Sequence, residues 1–341
     1  MINGKSILIF GGTGSLGQAL IRRLSEFNHL ILFSRDEAKH WTIRNQLTSK
    51  QNISFAVGDI RDKNRVSECL RLFNPDIVII AAALKQVDTC ELTPFESIQT
   101  NVLGINNVIQ CTLEMENQLS SLESVLLVST DKACAPTNVY GMCKAISERL
   151  ITSSMKASKK VKYLGVRYGN VLESRGSIIP LFKYQVAHGN TLTVTDLDMT
   201  RFIMTLDESI DLISAALNNG ESGEIWLPKI RSMRIRDLAE IFAKKYTKKI
   251  EVIGIRPGEK MHEDLISQTE SLRIRFENPY YKMSPSFTKN ISTTPFSYSS
   301  ADDLLTIQEL EGFLNSLNIF EENLDDLVGL RIEEIRTGEL N

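Results

Sequence analysis

The sequence predicts an α/β protein whose first half forms a doubly wound parallel sheet. Short runs rich in Ile, Leu and Val alternate with amphipathic stretches, which is the order expected of βαβ units. These apolar runs are continuous rather than interrupted by polar residues, so their strands are expected to be buried on both faces. A glycine-rich turn stands directly after the first run, where sheets of this class bind a ligand.

The predicted elements follow one another in a regular order. Strands are predicted at residues 6–10, 29–33, 53–57, 77–81, 124–128 and 162–166. Helices are predicted between them at residues 15–27, 36–46, 63–73, 101–116 and 140–156. Beyond Arg167 the alternation ends, and Gly and Pro breakers indicate a loop-rich segment over residues 168–202. A further helix and strand are predicted at 206–217 and 223–227.

Composition excludes several classes of function. The formal net charge of −3 over 341 residues argues against nucleic acid as a partner, because no overall positive field draws in phosphate backbones. The 4 histidines are not at metal-ligand spacing, so no metal site is predicted. The 5 scattered cysteines form no CxxC pair, which predicts reduced thiols and a cytoplasmic protein. No apolar run approaches the roughly 20 residues that cross a bilayer, so no membrane association is expected.

The glycine-rich turn at residues 11–17 predicts a dinucleotide site. One glycine permits the tight turn, one lets the backbone approach a pyrophosphate, and one permits close packing of helix on strand. The N-terminus of the first helix then faces the anion. The expected cofactor contacts are Gly11, Thr13, Gly14, Ser15, Leu16 and Gly17. The alternative is a glycine-rich turn that binds no ligand.

The end of the second strand bears on the choice between NAD and NADP. A site for NAD usually has a carboxylate there to hold the ribose diol, whereas this chain has Ser34 and Arg35. A hydroxyl and a guanidinium suit a 2′-phosphate better, so NADP is predicted over NAD. Alternatively, Arg35 lies in a solvated loop and Asp36 caps the next helix.

Two later strand ends complete the predicted cofactor site. Asp59 and Ile60 follow the third strand and are expected beside the adenine, although Asp59 also suits the N-cap of the next helix. Ala81 and Ala82 end the fourth strand, where small side chains let the backbone lie against a cofactor. Lys85 follows them and is expected to contact cofactor or substrate, with a solvated surface lysine as the alternative.

Tyr140 and Lys144 are predicted to carry out hydride chemistry. They are four residues apart and therefore lie on one face of a helix. A nearby ammonium lowers the pKa of a phenol, and the phenolate then takes a proton from a substrate hydroxyl while its carbon gives up a hydride.

Thr130, Asp131 and Lys132 stand where the fifth strand opens onto the same crevice. Once C4 of a sugar is a ketone, its C5 proton is acidic, and Lys132 is the predicted base that removes it. Asp131, if protonated, gives a proton to the departing C6 hydroxyl. The hydride then returns to C6, which predicts dehydration through a transient ketone. The alternative is a structural pair that caps the loop.

Polar residues later in the chain are candidate substrate ligands. Asn170 ends the sixth strand, where it suits a diphosphate or sugar oxygen. Arg201 and Arg256 suit a nucleotide diphosphate, and Glu259 follows in the same turn as Arg256. Isolated arginines are more often solvated. We predict a Rossmann-type NADP-binding domain at 1–170 with 203–228, and a smaller substrate-binding region at 171–202 with 229–341. The acidic segment 321–341 suits a docking helix and a partly ordered tail equally.

Taken in order, these segments resemble the extended short-chain dehydrogenase/reductase family. Within it they are most similar to the soluble, C5-inverting UDP-N-acetylglucosamine 4,6-dehydratases of the pseudaminic-acid type. The resemblance covers roughly residues 4–300 and rests on residues 11–17, 34–37, 81–85, 129–132, Tyr140-x-x-x-Lys144, 167–171, 199–202 and 256–260. It implies tightly held NADP, a UDP-linked hexosamine, and a homo-oligomer that is a dimer, tetramer or hexamer. It also implies that Asp131 and Lys132 are acid and base and that Arg201 and Arg256 lie beside the nucleotide.

The resemblance implies conversion of UDP-N-acetylglucosamine to a UDP-6-deoxy-4-keto-hexosamine for surface-glycan or nonulosonic-acid synthesis. Ile80, Gln86 and Asp88 depart from the family pattern beside the sugar pocket, which leaves the C5 stereochemistry and a retaining dehydratase open. A 4-epimerase is the main alternative, although it needs no C5 base such as Lys132. A non-catalytic NADP-binding sensor would need neither Tyr140 nor Lys144.

Overall fold

A computed structural model describes residues 2–48, 51–172, 174, 176–289 and 291–321. Apart from Glu321, the acidic segment 321–341 therefore lies outside the described residues. The chain divides into two compact units. The first unit comprises Met1–Tyr168, Leu206–Lys229 and Ile266–Ser297, and the second comprises Gly169–Thr205, Ile230–Leu265 and the residues from Tyr298 onward.

The strands and helices are numbered in chain order. The strands are β1 Ser6–Phe10, β2 His29–Ser34, β3 Ile53–Val57, β4 Ile77–Ile80, β5 Ser124–Thr130, β6 Lys162–Tyr168, β7 Asn170–Val171, β8 Thr191–Val194, β9 Thr200–Met204, β10 Ile225–Pro228, β11 Ser232–Arg234, β12 Lys249–Val252, β13 Asp264–Ile266, β14 Ile274–Glu277, β15 Tyr280–Met283 and β16 Tyr298–Ser299. The α-helices are α1 Ser15–Leu24, α2 Glu37–Gln46, α3 Lys63–Phe73, α4 Val87–Leu92, α5 Pro94–Ile98, α6 Ile105–Glu114, α7 Val139–Ser153, α8 Ile178–His188, α9 Leu206–Asn219, α10 Ile235–Tyr246, α11 Gln268–Ser271 and α12 Ile307–Ser316.

The first unit is built on a nine-stranded sheet, counted over the described residues, in the order β14-β15-β10-β6-β5-β4-β1-β2-β3. Within this order, the seven consecutive strands β10, β6, β5, β4, β1, β2 and β3 run parallel to one another. Strand order reverses between β1 and β4, which places the carboxyl ends of these strands around one crevice. The predicted Rossmann-type fold is confirmed.

Burial on both faces explains why the central strands could be recognised from the sequence. Ile7, Leu8 and Ile9 in β1 are fully buried, as is the run from Val78 to Ile80 in β4. Burying such a side chain contributes roughly 1.5–3 kcal/mol, so a polar residue has no place on either face. Caps set the helix starts in the same unit, since Asp36 accepts a hydrogen bond from the Lys39 amide at the start of α2.

The division between the units differs from the predicted one. Residues 266–297 belong to the first unit rather than to the substrate-binding region. The reason is the hairpin of β14 and β15, which adds two antiparallel strands to the edge of the sheet at β10. The further division into an NADP-binding and a substrate-binding part stays a prediction.

The second unit has its own small sheets and core. Strands β11, β9 and β7 form one sheet, and β8 pairs with β12. Its core includes Phe182 in α8 and Phe242 in α10, whose ring centroids lie 5.5 Å apart. The prediction of a loop-rich segment over residues 168–202 is wrong, because α8 and β8 lie within it. Pro180 stands in the first turn of α8, where a missing backbone N–H breaks no intrahelical bond.

In the part of the chain that the structure describes, the helices are too short or too polar to cross a bilayer. The same residues contain no group of three or more His, Cys, Asp or Glu side chains arranged to hold a metal ion.

Candidate active site

The turn after β1 is shaped for a close backbone approach. Gly11 has a φ of +86°, and a Cβ on it would lie 2.7 Å from the Ala82 backbone nitrogen. A Cβ on Gly17 would overlap the carbonyl oxygen of Gly12. Both positions therefore require glycine, the first for its backbone conformation and the second for the packing of α1 on the turn.

The N-terminus of α1 fits a pyrophosphate. Gly14 is the N-cap, so no side chain at that position accepts the first-turn N–H groups. No acidic residue stands in this turn. A Cβ on Gly14 would meet only the Gly11 carbonyl oxygen, at 3.3 Å, which leaves room beside the backbone. The positive end of the helix dipole and the backbone N–H groups of a helix N-terminus favour an anion here.

The carboxyl ends of β2 and β3 bring Arg35 and Asp59 together. The Arg35 guanidinium lies 3.8 Å from Asp59 and its side chain is 57% exposed. Asp59 also accepts hydrogen bonds from the Arg61 backbone and guanidinium at 2.7–2.9 Å. Burial raises the pKa of Asp59, but the bonds from Arg61 outweigh it and lower that pKa. Asp59 does not cap α3, because Asp62 does; its contact with adenine stays a prediction.

Asn101 holds the segment after β4, where Ala81, Ala82 and Lys85 stand. Its side chain accepts from the Leu84 amide and donates to the Leu84 carbonyl, both at 2.8 Å. Asn101 is fully buried in a π-helical stretch, Gln99–Gly104, which joins α5 to α6. The predicted helix at 101–116 covers α6 and the last four residues of this stretch, which the structure forms as π-helix rather than α-helix. Ile60 is buried and stands two residues before Asp62, the N-cap of α3. Lys85 is exposed.

Tyr140 and Lys144 lie on α7 with both side chains almost fully buried. Lys144 Nζ donates to the Val128 carbonyl of β5 at 2.8 Å. Burial lowers the pKa of Lys144 to about 8, and burial raises the pKa of Tyr140 to about 12. The cation that lowers the Tyr140 pKa most is Lys132. From the sequence, that effect is expected of Lys144 instead.

Asp131 and Lys132 form a short 3-10 turn, Asp131–Ala133, directly after β5. Thr130 Oγ1 donates to Asp131 Oδ1 at 2.9 Å, and Lys132 Nζ donates to the same oxygen at 3.1 Å. Asp131 is fully buried, and its Oδ2 has no hydrogen-bond partner among the described residues. A buried acceptor without a donor is costly, and a substrate hydroxyl would satisfy it.

A buried charge array, made of Arg167, Glu148, Glu270 and Cys134, lies behind these residues. Arg167 on β6 donates to both Glu148 oxygens, at 2.9 and 2.5 Å, and to both Glu270 oxygens, at 3.1 and 2.8 Å. Cys134, two residues after Lys132, donates to Glu270 at 3.2 Å. The array therefore ties the turn of Lys132 to the helix of Lys144, one turn before Glu148. Sequence reasoning missed it, although Ser267-x-x-Glu270 is a readable capping box.

Replacing Arg167 with methionine is expected to lower the free energy of unfolding by about 3–5 kcal/mol, because two carboxylates then lose their buried partner. Urea unfolding of the full-length variant measures this loss. Arg71→Met, at an exposed position on α3, is the control and is expected to change it by less than about 0.5 kcal/mol. Equal stability of the two variants would show that the array does not hold the unit together.

The remaining predicted ligands lie in the second unit. Asn170 Oδ1 in β7 is buried without a hydrogen-bond partner in the described chain. Arg201 on β9 donates to the Thr200 carbonyl at 2.8 Å and to the Met261 carbonyl at 3.2 Å. Arg256 is exposed, and its backbone N–H donates to Glu259 at 3.2 Å. The carboxylate of Glu259 therefore closes the turn that carries Arg256.

Comparison with known proteins gives a consistent family. Residues 7–285 match the family model described as polysaccharide biosynthesis protein. The chain is 40% identical to the UDP-N-acetylglucosamine 4,6-dehydratase (inverting) of Campylobacter jejuni subsp. jejuni serotype O:23/36 (strain 81-176), over 88% of this chain and 89% of that protein. It is 35% identical to the UDP-glucose 4-epimerase of Rickettsia canadensis (strain McKiel), over 95% and 99% respectively. The resemblance to the dehydratases stated above is confirmed.

Solved structures agree on the fold. The X-ray structure of Pen from Bacillus thuringiensis has a TM-score of 0.86 and 33% identity, and the match covers 93% of this chain and 99% of that one. DesIV, a dTDP-glucose 4,6-dehydratase from Streptomyces venezuelae solved with NAD, has a TM-score of 0.65 and 21% identity, covering 75% and 86%. At that identity the second likeness shows the fold alone.

Proposed function

The chain belongs to the polysaccharide biosynthesis protein family, and from that premise we propose that it is an NADP-dependent UDP-N-acetylglucosamine 4,6-dehydratase that inverts C5. Its product is a UDP-6-deoxy-4-keto-hexosamine for surface-glycan or nonulosonic-acid synthesis. The observation that carries the proposal is the hydrogen-bonded pair of buried Asp131 and partly buried Lys132, whose charges act on Tyr140. An acid and a base are thus present in addition to the group that serves hydride transfer. The 40% identity to an inverting dehydratase supports it.

Each residue has one role in the proposed reaction. NADP, when bound, supplies hydride acceptance from C4 and hydride return to C6. Tyr140 takes the proton of the C4 hydroxyl. Lys144, one helical turn later, anchors α7 to β5 through its hydrogen bond to the Val128 carbonyl. Lys132 removes the C5 proton, and Asp131 protonates the C6 hydroxyl, which leaves as water. The electron pair of the broken C5–H bond forms the C5–C6 double bond as the C6 hydroxyl leaves. The returned hydride then adds to C6, and a proton from solvent adds to C5 on the face opposite the one that lost its proton, which inverts C5.

The hydrogen bond between Lys132 and Asp131 gives a direct route for a proton between the proposed base and the proposed acid. A base must be a neutral amine, and an acid must be a protonated carboxyl. Transfer of one proton from Lys132 Nζ to Asp131 Oδ1, which lie 3.1 Å apart, creates both at once.

We infer NADP rather than NAD from the end of β2. Asp36, the first carboxylate after that strand, accepts from the Lys39 amide at 3.0 Å and pairs with the Lys39 ammonium at 2.9 Å. It is therefore committed to the cap of α2 rather than to a ribose diol. Ser34 and the exposed Arg35 are left at the strand end, and both suit a 2′-phosphate.

A 4-epimerase is the second candidate, because relatives of 35–40% identity carry the name UDP-glucose 4-epimerase. Incubating the purified protein with UDP-N-acetylglucosamine and catalytic NADP separates the two. Dehydration gives a product lighter by one water, and an epimerase gives an isomer of unchanged mass. We expect loss of water, with inverted C5 in the NMR spectrum of the product. An isomer as the sole product would replace the proposal by epimerisation.

We further infer a cytoplasmic homo-oligomer that acts on a UDP-sugar and binds no nucleic acid. Large apolar side chains at Leu92, Phe95, Leu103, Met142 and Ile146 are 48–83% exposed on helices of the first unit. The helices that carry these side chains pack against one another, and neighbouring exposed apolar side chains are typical of a protein contact. The five cysteines are free and buried, which suits a reducing compartment. Arg201 and Arg256 are the proposed ligands of the diphosphate.

A further inference from the structure

His40 on α2 lies behind the predicted cofactor site and has no role in the reaction above. Its side chain is only 3% exposed. The ring packs against Phe55 of β3 with 5.2 Å between ring centroids. Its Nε2 lies 2.8 Å from Ser34 Oγ, at the carboxyl end of β2. A buried histidine thus contacts a hydroxyl that the end of β2 offers to a cofactor.

The second ring nitrogen fixes the direction of this hydrogen bond. Nδ1 of His40 is buried and has no partner among the described residues. A buried N–H without an acceptor is rarer in proteins than an acceptor without a donor, so we assign the hydrogen to Nε2. Burial also lowers the pKa of His40, which keeps the ring neutral. Nε2–H therefore donates, and Ser34 Oγ accepts.

This direction leaves the Ser34 hydroxyl hydrogen available to a ligand. The Ser34 backbone carbonyl already accepts from the Gly58 amide at 3.0 Å. We propose that His40 is a positioning residue that makes Ser34 a hydrogen-bond donor to the 2′-phosphate of NADP, and that it thereby favours NADP over NAD. The inference rests on the proposed use of NADP and is independent of whether the sugar is dehydrated or epimerised.

The two cofactors respond differently because their groups at this position differ. A phosphate dianion only accepts hydrogen bonds, so it gains from an oriented donor and is repelled by an oriented lone pair. A ribose hydroxyl both donates and accepts, and it therefore pairs with Ser34 in either orientation. Arg35 adds a positive charge at the same strand end. A guanidinium attracts the phosphate dianion of NADP more than the neutral ribose hydroxyl of NAD.

Three variants test the role of His40 in the full-length protein. His40→Leu removes both ring nitrogens, whereas His40→Gln restores an N–H donor of similar reach. His29→Leu is the matched control, because the His29 ring makes the same 2.8 Å contact with Ser54 where β2 begins. For each variant, the NADP to NAD ratio released on denaturation is measured by mass spectrometry. Calorimetry then gives the dissociation constant of each cofactor for the depleted protein.

We expect His40→Leu to weaken NADP binding about two- to tenfold, the effect of one hydrogen bond, with NAD binding unchanged. His40→Gln and His29→Leu should keep the wild-type preference. Equal weakening of both cofactors, or an unchanged ratio in His40→Leu, would overturn the inference and leave the NADP proposal intact. A wild-type protein that prefers NAD would overturn both.

Discussion

Replacing Lys132 with alanine is expected to slow dehydration roughly 10²–10⁴-fold, which is the contribution of a positioned base. The C4 oxidation that precedes it uses Tyr140 and should persist. Reduced nicotinamide is therefore expected to accumulate when UDP-N-acetylglucosamine is added, whereas the wild type regenerates its oxidised cofactor. Nicotinamide absorbance in a stopped-flow experiment measures both steps.

The control for this variant is Lys63→Ala, since Lys63 is an exposed lysine that pairs with Glu114 away from the site. Its dehydration rate should match the wild type. Lys132 also lowers the pKa of Tyr140, so its removal raises that pKa and shifts the C4 oxidation to higher pH. A Lys132→Ala protein that dehydrates its substrate at the wild-type rate would exclude Lys132 as the base.

Replacing Tyr140 with phenylalanine is expected to stop the reaction one step earlier, with a loss of roughly 10²–10⁴-fold in C4 oxidation. No reduced nicotinamide should form, and neither a dehydrated nor an epimerised sugar should appear. Burial raises the pKa of Tyr140 to about 12. The wild-type C4 oxidation should therefore become faster as pH rises, because more phenol is deprotonated, and this dependence should vanish in the variant.

Tyr163→Phe is a closely matched control. Tyr163 is also fully buried, burial also raises its pKa to about 12, and its hydroxyl bonds to Thr112 instead of a site residue. Both variants delete one buried hydroxyl, so they carry similar costs in stability. Formation of reduced nicotinamide by Tyr140→Phe at the rate of Tyr163→Phe would contradict the role of Tyr140.

The parallel strands and the glycine turn could be predicted because local physics determines them. Strands buried on both faces must be continuously apolar, as Ile7 to Ile9 are, and a turn that admits no Cβ must be glycine, as at Gly11. The hairpin of β14 and β15 could not be predicted in this way. Its strands are short and carry charged residues such as Arg275, and their place is set by pairing with β10, far away in sequence.

In the candidate site, too, local features could be predicted from the sequence and long-range contacts could not. Tyr140 and Lys144 share a helix face, so their spacing predicts their proximity. The influence of Lys132 on Tyr140 depends on how the 3-10 turn packs against α7, which the sequence does not encode locally. The contact between Cys134 and Glu270 joins residues 136 positions apart. Only the structure shows that the two glutamates around Arg167, Glu148 and Glu270, are buried, and that Cys134 bonds to one of them.

The most direct test of the role of Lys132 is the fate of the C5 hydrogen in D2O. Wild-type protein given UDP-N-acetylglucosamine should form a dehydrated product that carries deuterium at C5, because Lys132 removes the original proton and solvent replaces it. In Lys132→Ala, the sugar recovered after reduced nicotinamide has accumulated should retain protium at C5. Deuterium at C5 appearing in Lys132→Ala at the wild-type rate would contradict the assignment of Lys132 as the base.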